Sequence, residues 1–449
     1  MYKKFQSTLL LLMLTISTMA QPAKDNILPY PMFQKKLPNG LNVVTIPYES
    51  PGIAAFYIVM RVGSRDEVEE GKSGFAHFFE HMMFRGTEKY PSNKYSEILK
   101  GTGASANANT SLDRTVYHMT GNAAMLEKMF ELEADRFMNL KYSVQQFKTE
   151  AGAVKGEYTK SYSSPFPQLD EKTNDVAFTK HTYKHTTMGF FKDVVDMPNQ
   201  YEYSLEFFKR FYKPEYATIL VVGDVTQEKV NALAEKYFGI WPKGNFVSNI
   251  TAEPEQMETR FAHIQVADFP PAINLSYKGP AYSDKEGDLQ AINLMNAILF
   301  SEKSALYNKL VIKEHKVRSM SGSAGLTRDP NLVDISASLV AKEDMQYVKD
   351  EIVNAIEKIK TTPPSEKELM QAKTRVRYSF AMQIDNPSRI AEVVSSFIWL
   401  SGDPESINRT YHNFDKVTSA DIMAVAKKYY IPSHLTIGTI SSDATSPIK

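Results

Sequence analysis

The chain has 449 residues, 43% of them hydrophobic and 23% charged, the composition of a folded protein too long for one ordinary core. Its 52 basic and 52 acidic side chains cancel, which gives no ground for nucleic acid or an anionic membrane surface as a partner. With no cysteine it has no disulfide, thiolate ligand or thiol nucleophile, so any metal must be held by histidine and carboxylate.

In chain order, residues 1–20 read as a signal peptide. Lys3 and Lys4 form its positive start, Leu9 and Leu14 lie in a short apolar run, and Thr18-Met19-Ala20 is a small-x-small cleavage site. A transmembrane anchor is the competing reading, but the run is short for a bilayer. A transit peptide should be rich in arginine, and the first arginine is Arg61. The mature chain is therefore expected to be exported and soluble. The periplasm of a Gram-negative bacterium is the best fit, and secretion is the alternative.

Residues 53–62 form an apolar strand, and a polar turn leads into a helix carrying His77-Phe78-Phe79-Glu80-His81. Histidines four apart share a helix face, so both imidazoles can reach one metal ion. Glu80 lies on that face, able to touch water at the metal without being a ligand. This order, H-x-x-E-H, is the inverted zinc-protease motif. The bland alternative is a helix with two unconnected histidines. Only nine histidines occur in the chain, and two of them bracketing a glutamate at ligand spacing favours the metal. Catalytic zinc needs three protein ligands and an open position. Glu157 is a candidate third ligand, with Glu150 two turns earlier on the same face. Acidic residues seven apart more often mark a solvated helix face, so spacing alone leaves both open.

The chain also reads as one unit used twice. Tyr212, Pro214, Thr218 and Ile219, at a helix end and the strand after it, recur 218 positions on as Tyr430, Pro432, Thr436 and Ile437. Chance similarity of two proline-started strands is the alternative, but the flanking elements correspond as well. The same offset sets the strand 272–277 and helix 288–299 against the first strand and metal-motif helix, with Met295 and Leu299 in the places of His77 and His81. Further helices are expected at 122–140, 144–162 and 342–360. The expected organisation is a zinc-binding domain at 30–240, a linker at 241–260 containing Trp241-Pro242-Lys243-Gly244, and a metal-free domain at 261–445. Each should be an α+β domain, an antiparallel or mixed sheet with helices packed on one face.

These residues together resemble the pitrilysin/insulysin family of zinc metallopeptidases, in its two-domain, mitochondrial-processing-peptidase-like bacterial branch. The motif at His77 to His81, the distance on to Glu157 and the seven-residue step from Glu150 match that family. So does a second signature, Gly103-Ala104-Ser105-Ala106-Asn107-Ala108-Asn109-Thr110 ending in Thr115-Val116-Tyr117. The resemblance spans about Gln34 to Ser442 and is stronger in the first half. It implies one Zn²⁺ per chain on His77, His81 and Glu157, with Glu80 as general base and later proton donor to the leaving amine. It implies that Glu150 orients a ligand or the base. Ser105, Ala106, Asn107, Ala108, Asn109 and Thr110 would be an edge strand that pairs with an extended peptide; read without the family, that strand could simply close a sheet.

The second half departs from the family. Active members present an arginine and a tyrosine seven residues apart near the scissile carbonyl, whereas the matching positions here are Val311 and Arg318. The glycine-rich run before them is replaced by Phe300-Ser301-Glu302-Lys303-Ser304. The expectation is a zinc endopeptidase for short or unfolded peptides, forming a closed chamber as a heterodimer with a second family chain that supplies the Arg/Tyr pair. A homodimer with Arg318 as substitute is the alternative, and His181 and His185 are read as structural. Two other classes remain: a non-catalytic peptide-binding or assembly subunit, which an intact metal set disfavours, and a structural zinc protein, for which no fourth ligand is in view.

Overall fold

Two strands near the ends of the repeats, 217–223 and 435–441, are buried along their whole length, and each lies inside a sheet. The computed structural model describes residues 26–448, so the expected signal peptide lies outside the described residues. The first sheet contains β1 (Phe33–Lys36), β2 (Asn42–Pro47), β3 (Ile53–Met60), β4 (Ser105–Thr110), β5 (Thr115–Asn122) and β6 (Ala217–Gly223), in the order β1-β2-β6-β3-β5-β4. The second contains β7 (Arg260–Gln265), β8 (Ala272–Lys278), β9 (Val317–Ala324), β10 (Leu332–Leu339) and β11 (Leu435–Ser441), in the order β7-β11-β8-β10-β9. Leaving out β1, the two orders are the same. Both sheets are mixed: β2 runs parallel to β6 and β7 to β11, while the other neighbours are antiparallel. The pair Asn42↔Thr218 returns 218 residues on as Arg260↔Thr436, so the repeat extends to strand register.

The helices that carry the site are α1 (Phe75–Met82), α2 (Ser92–Gly101), α3 (Leu126–Asn139), α4 (Val144–Ser161) and α5 (Pro165–Ala177). The helices expected at 122–140 and 342–360 each begin with a short 3-10 turn, so the regular helix starts a few residues later. One face of the first sheet holds a large core, in which Phe56 and Ile58 meet Phe78 and Phe79 of α1, Phe130 of α3 and Phe147 of α4.

The fold class is as read, two α+β units, with one addition: each sheet is also covered by a helix from the other half. Ala55, Tyr57, Val59, Leu220 and Val222 make the far face of the first sheet apolar, and Ile390, Val394 and Ile398 of the helix Pro387–Ser401 bury it. Reciprocally, α5 lies on β7 and β11, where Leu169 packs against Ala272 and Ile440. Each exchanged helix begins with proline at its first position and ends on an arginine of the opposite half. Arg61 donates to the carbonyls of Trp399 (2.9 Å) and Leu400 (3.3 Å), and Arg260 to those of Val176 (2.9 Å) and Ala177 (2.8 Å). A cation there satisfies orphan carbonyls and complements the helix dipole.

Lys278 lies beside the end of α5. Its Nζ is buried without a hydrogen-bond partner, 3.3 Å from the centre of the Phe178 ring. Burial pushes its pKa down to about 7, with Glu253 opposing and Arg260 adding to the effect. An unfolded lysine stays protonated up to about pH 10.4. Between the two values the unfolded state binds more protons, so this position's contribution to stability rises with pH and is least favourable below about pH 7. Lys278→Met should therefore stabilise the chain relative to the parent by roughly 1–3 kcal/mol more near pH 6 than near pH 10. Urea denaturation at the two pH values checks this, and a difference that does not change with pH would remove burial of the charge as the cause.

Candidate metal centre

The metal-motif helix is fixed at its start by a buried carboxylate. Gly74 caps α1 with φ +96°, a left-handed conformation that favours glycine, and a Cβ there would also lie 3.0 Å from the carbonyl oxygen of Met188. Glu67 accepts from the backbone N–H of Gly74 and of Ala76, both at 2.7 Å, satisfying two of the orphan donors of that helix end. Burial drives its carboxyl well above the usual carboxylate range, opposed by these two N–H groups. Just before it, Ser73 donates from its hydroxyl to Asp193 at 2.5 Å. Phe78 and Phe79 turn inward, Phe78 edge-on to Phe147 of α4 at 5.0 Å and Phe79 stacked on Phe207 at 5.3 Å. This packing leaves His77, Glu80 and His81 on the opposite side of α1.

There the structure brings His77, His81 and Glu157 together. His77 Nε2 and His81 Nε2 lie 3.3 Å apart, Glu157 Oε2 is 3.2 Å from His81 Nε2 and 3.8 Å from His77 Nε2. Tetrahedral zinc with ligands at about 2.0–2.1 Å sets donor atoms about 3.3–3.4 Å apart, so this set fits zinc with little adjustment. Among the described residues it is the one group of three or more histidines and acids placed to hold a metal ion. Burial, and then His81, hold the His77 imidazole below its usual pKa, which keeps it neutral and able to ligate.

Glu150, buried beneath His81, accepts at Oε1 from His81 Nδ1 at 3.0 Å and at Oε2 from Arg85 Nε. Its hydrogen bond raises the pKa of His81 above the ordinary value. Burial pushes Glu150 up, but the bonds from His81 and Arg85 outweigh it and hold the carboxyl below its usual range. With Nδ1 of His81 turned to this carboxylate, Nε2 is left free for a metal.

Glu80 borders a cavity of about 270 Å³ together with His81, Phe84, Arg85 and Glu150. Thr110 donates its hydroxyl to Glu80 Oε2 at 2.6 Å, linking the metal-motif helix to the end of β4. β4 spans Ser105 to Thr110 and is the edge strand of its sheet, paired only with β5. Ala106, Ala108 and Thr110 point to the α1 face, and Ser105, Asn107 and Asn109 to the other.

Other sequence candidates lie elsewhere. His181 bridges the halves, its Nε2 2.9 Å from Asp329, which also accepts from Arg65 at 2.5 Å. His185 bonds the carbonyl of Thr186 at 3.0 Å and lies 3.7 Å from Glu67. Val311 packs against the second core, and Arg318, on the edge strand β9, spends its Nε on the carbonyl of Leu339 at 3.1 Å. Sequence reasoning missed Glu67 and Arg85. Glu67 sits in the charged run Arg65-Asp66-Glu67-Val68-Glu69-Glu70 and looks like part of a solvated turn, while Arg85 offered only its position four residues after His81.

Residues 43–189 match the family model for insulinase (peptidase family M16), and residues 200–376 match that for the M16 inactive domain. The chain belongs to peptidase family M16. All the metal-ligand candidates fall within the insulinase match. Among M16 relatives, the zinc protease PqqE of Helicobacter pylori is 27% identical over 88% of this chain and 89% of its own length. The probable mitochondrial-processing peptidase subunit beta of Schizosaccharomyces pombe is 23% identical over 90% of both chains. The crystal structure of a protease from Helicobacter pylori superposes with a TM-score of 0.85 at 26% identity, covering 92% of this chain and 99% of that one.

Glu67→Ala would leave two buried N–H groups of α1 unpaired and should destabilise the chain by about 2–4 kcal/mol. Thermal and denaturant unfolding measure this; a loss below about 0.5 kcal/mol, the usual range of a surface change, would show that Glu67 is not an anchor.

Proposed function

We propose that this chain is a zinc-dependent endopeptidase acting on short or unfolded peptides, and that it serves as the metal-bearing subunit of a heterodimer. The observation that carries the reading is the convergence of His77 Nε2, His81 Nε2 and Glu157 Oε2 at zinc spacing, beside a glutamate that is not one of them. When bound, zinc polarises the scissile carbonyl as a Lewis acid and makes water a nucleophile near neutral pH. Glu80 would take a proton from the attacking water and later deliver it to the leaving amine. Thr110 orients Glu80 through its hydroxyl, and Glu150 fixes the tautomer of His81. The edge of β4 offers backbone groups to an extended peptide, a mode of binding that selects against folded proteins.

The heterodimer reading rests on the second half. Val311 is apolar and packed, and Arg318 is tied to its own sheet, so neither replaces an Arg/Tyr pair at the carbonyl. The relative from Schizosaccharomyces pombe is by name a subunit. The partner is a second chain of this family, and the chamber between them holds the peptide. The zinc-binding domain is 30–240 and its metal-free repeat 261–445, joined by 241–260. Export to the periplasm follows from the leader reading, and among the described residues no helix is long and apolar enough to cross a membrane. The alternative, a non-catalytic assembly or peptide-capturing subunit, is favoured only by the missing Arg/Tyr pair.

Glu80→Gln should keep zinc, measured by elemental analysis, while turnover of unfolded peptides falls by about 10²–10⁴-fold. Glu157→Ala should lose zinc; unchanged zinc content would remove Glu157 as a ligand. Co-expression with a second family chain should raise peptidase activity over either chain alone. An isolated chain as active as any pair would end the heterodimer reading.

A further inference from the structure

The inference concerns Arg85 and rests on the zinc reading above. Arg85 closes a 3-10 turn, Met83–Arg85, that continues α1, and it stands four residues after His81, so both side chains leave one helix face. Both end on Glu150 of α4: His81 reaches Oε1 and Arg85 Nε reaches Oε2. Glu150 is only 3% exposed, so these two bonds are the main compensation for burying its carboxylate. His81 alone would hold one oxygen and leave the carboxylate free to rotate. The position of Arg85 is itself constrained, because the chain reverses directly after it. Gly86 has φ +85°, and a Cβ there would lie 2.3 Å from the carbonyl oxygen of Tyr90.

We propose that Arg85 is a positioning residue of the metal centre: by holding Oε2 of Glu150 it fixes the carboxylate that orients His81, and so sets the zinc affinity of the site. The competing role follows from its exposure. The side chain is 42% accessible and lines the cavity beside Glu80, so it could instead touch substrate.

Chelator-competition measurements of zinc affinity on the full chain separate these roles, using the parent, R85Q, R85K, E150Q, R85Q/E150Q and R85K/E150Q. Loss of a group that orients a ligand typically costs 10–100-fold in metal affinity, so R85Q should weaken zinc binding about tenfold. R85K should recover part of this, because an ammonium reaches the same oxygen as a point charge. R85Q should have no further effect in the E150Q background, since Arg85 acts through Glu150. In peptide assays at saturating zinc, KM should stay within about twofold of the parent, because Arg85 does not touch substrate.

Unchanged zinc affinity in R85Q, an equal loss in both backgrounds, or a raised KM at parental zinc affinity would each overturn the proposal. Should R85Q fail to fold, R85K decides the same question. A loss seen with Glu150 present and absent in the E150Q background supports it, and an equal loss or none overturns it. A parent chain that binds no zinc would bring down the zinc reading and this inference with it, an outcome distinct from a parent that binds zinc and variants that bind it equally.

Discussion

Three donor atoms from two helices must meet within a few tenths of an ångström of their ideal separation for the candidate site to hold a metal ion. His77 and His81 are fixed relative to each other by one turn of α1, but Glu157 belongs to α4, some 75 residues away. The crossing of α1 over α4 is therefore the constraint on which the site depends. Phe78 against Phe147 sets the distance between the two helices. Glu67, through two N–H groups, stops α1 from sliding along its axis. Glu150 joins the helices again directly beside the three candidate ligands. These contacts bear on the same few interatomic distances, so conservative changes in the aromatic layer should be felt at the candidate site.

The second half shows what the same scaffold becomes without that demand. Met295, in the place of His77, is fully buried in the second core, and Leu299, in the place of His81, packs against it. A cavity of about 610 Å³ lies there, lined by Ile298, Leu299 and Glu368, the counterparts of Glu80, His81 and Glu150. Strand order and parallel register are retained while both histidines and Glu80 are exchanged for apolar residues; Glu150 keeps a carboxylate counterpart in Glu368, and Glu157 is replaced by Arg375. Backbone architecture and site chemistry vary independently in this protein, as expected when function sits in a few side chains placed on a shared fold.

Most of this was legible in the residues, and for identifiable reasons. Histidines at i and i+4 around a glutamate state their geometry in the spacing itself, and the recurrence of Tyr212 and Pro214 as Tyr430 and Pro432 states the repeat. The role of Glu67 was hidden because a carboxylate in a charged run looks the same whether it faces solvent or caps a buried helix. The exchange of α5 and the helix Pro387–Ser401 was hidden for a different reason. Periodicity reveals that a helix has an apolar face but does not name the sheet that covers it. Ala55, Tyr57 and Val59 alternate with Phe56 and Ile58 in one apolar run, the mark of a strand buried on both sides, and that was the available hint.

The reciprocal helices decide how such a molecule can move. Each half wears a piece of the other across an apolar sheet face, so separating them would bare Val59, Leu220 and Val222 to water along with their helical cover. The two halves of one chain are thus poor candidates for jaws. In the proposed heterodimer, entry of a peptide and release of its fragments would use the boundary between the two chains, and the pace of turnover would then be governed by how firmly two separate polypeptides hold each other.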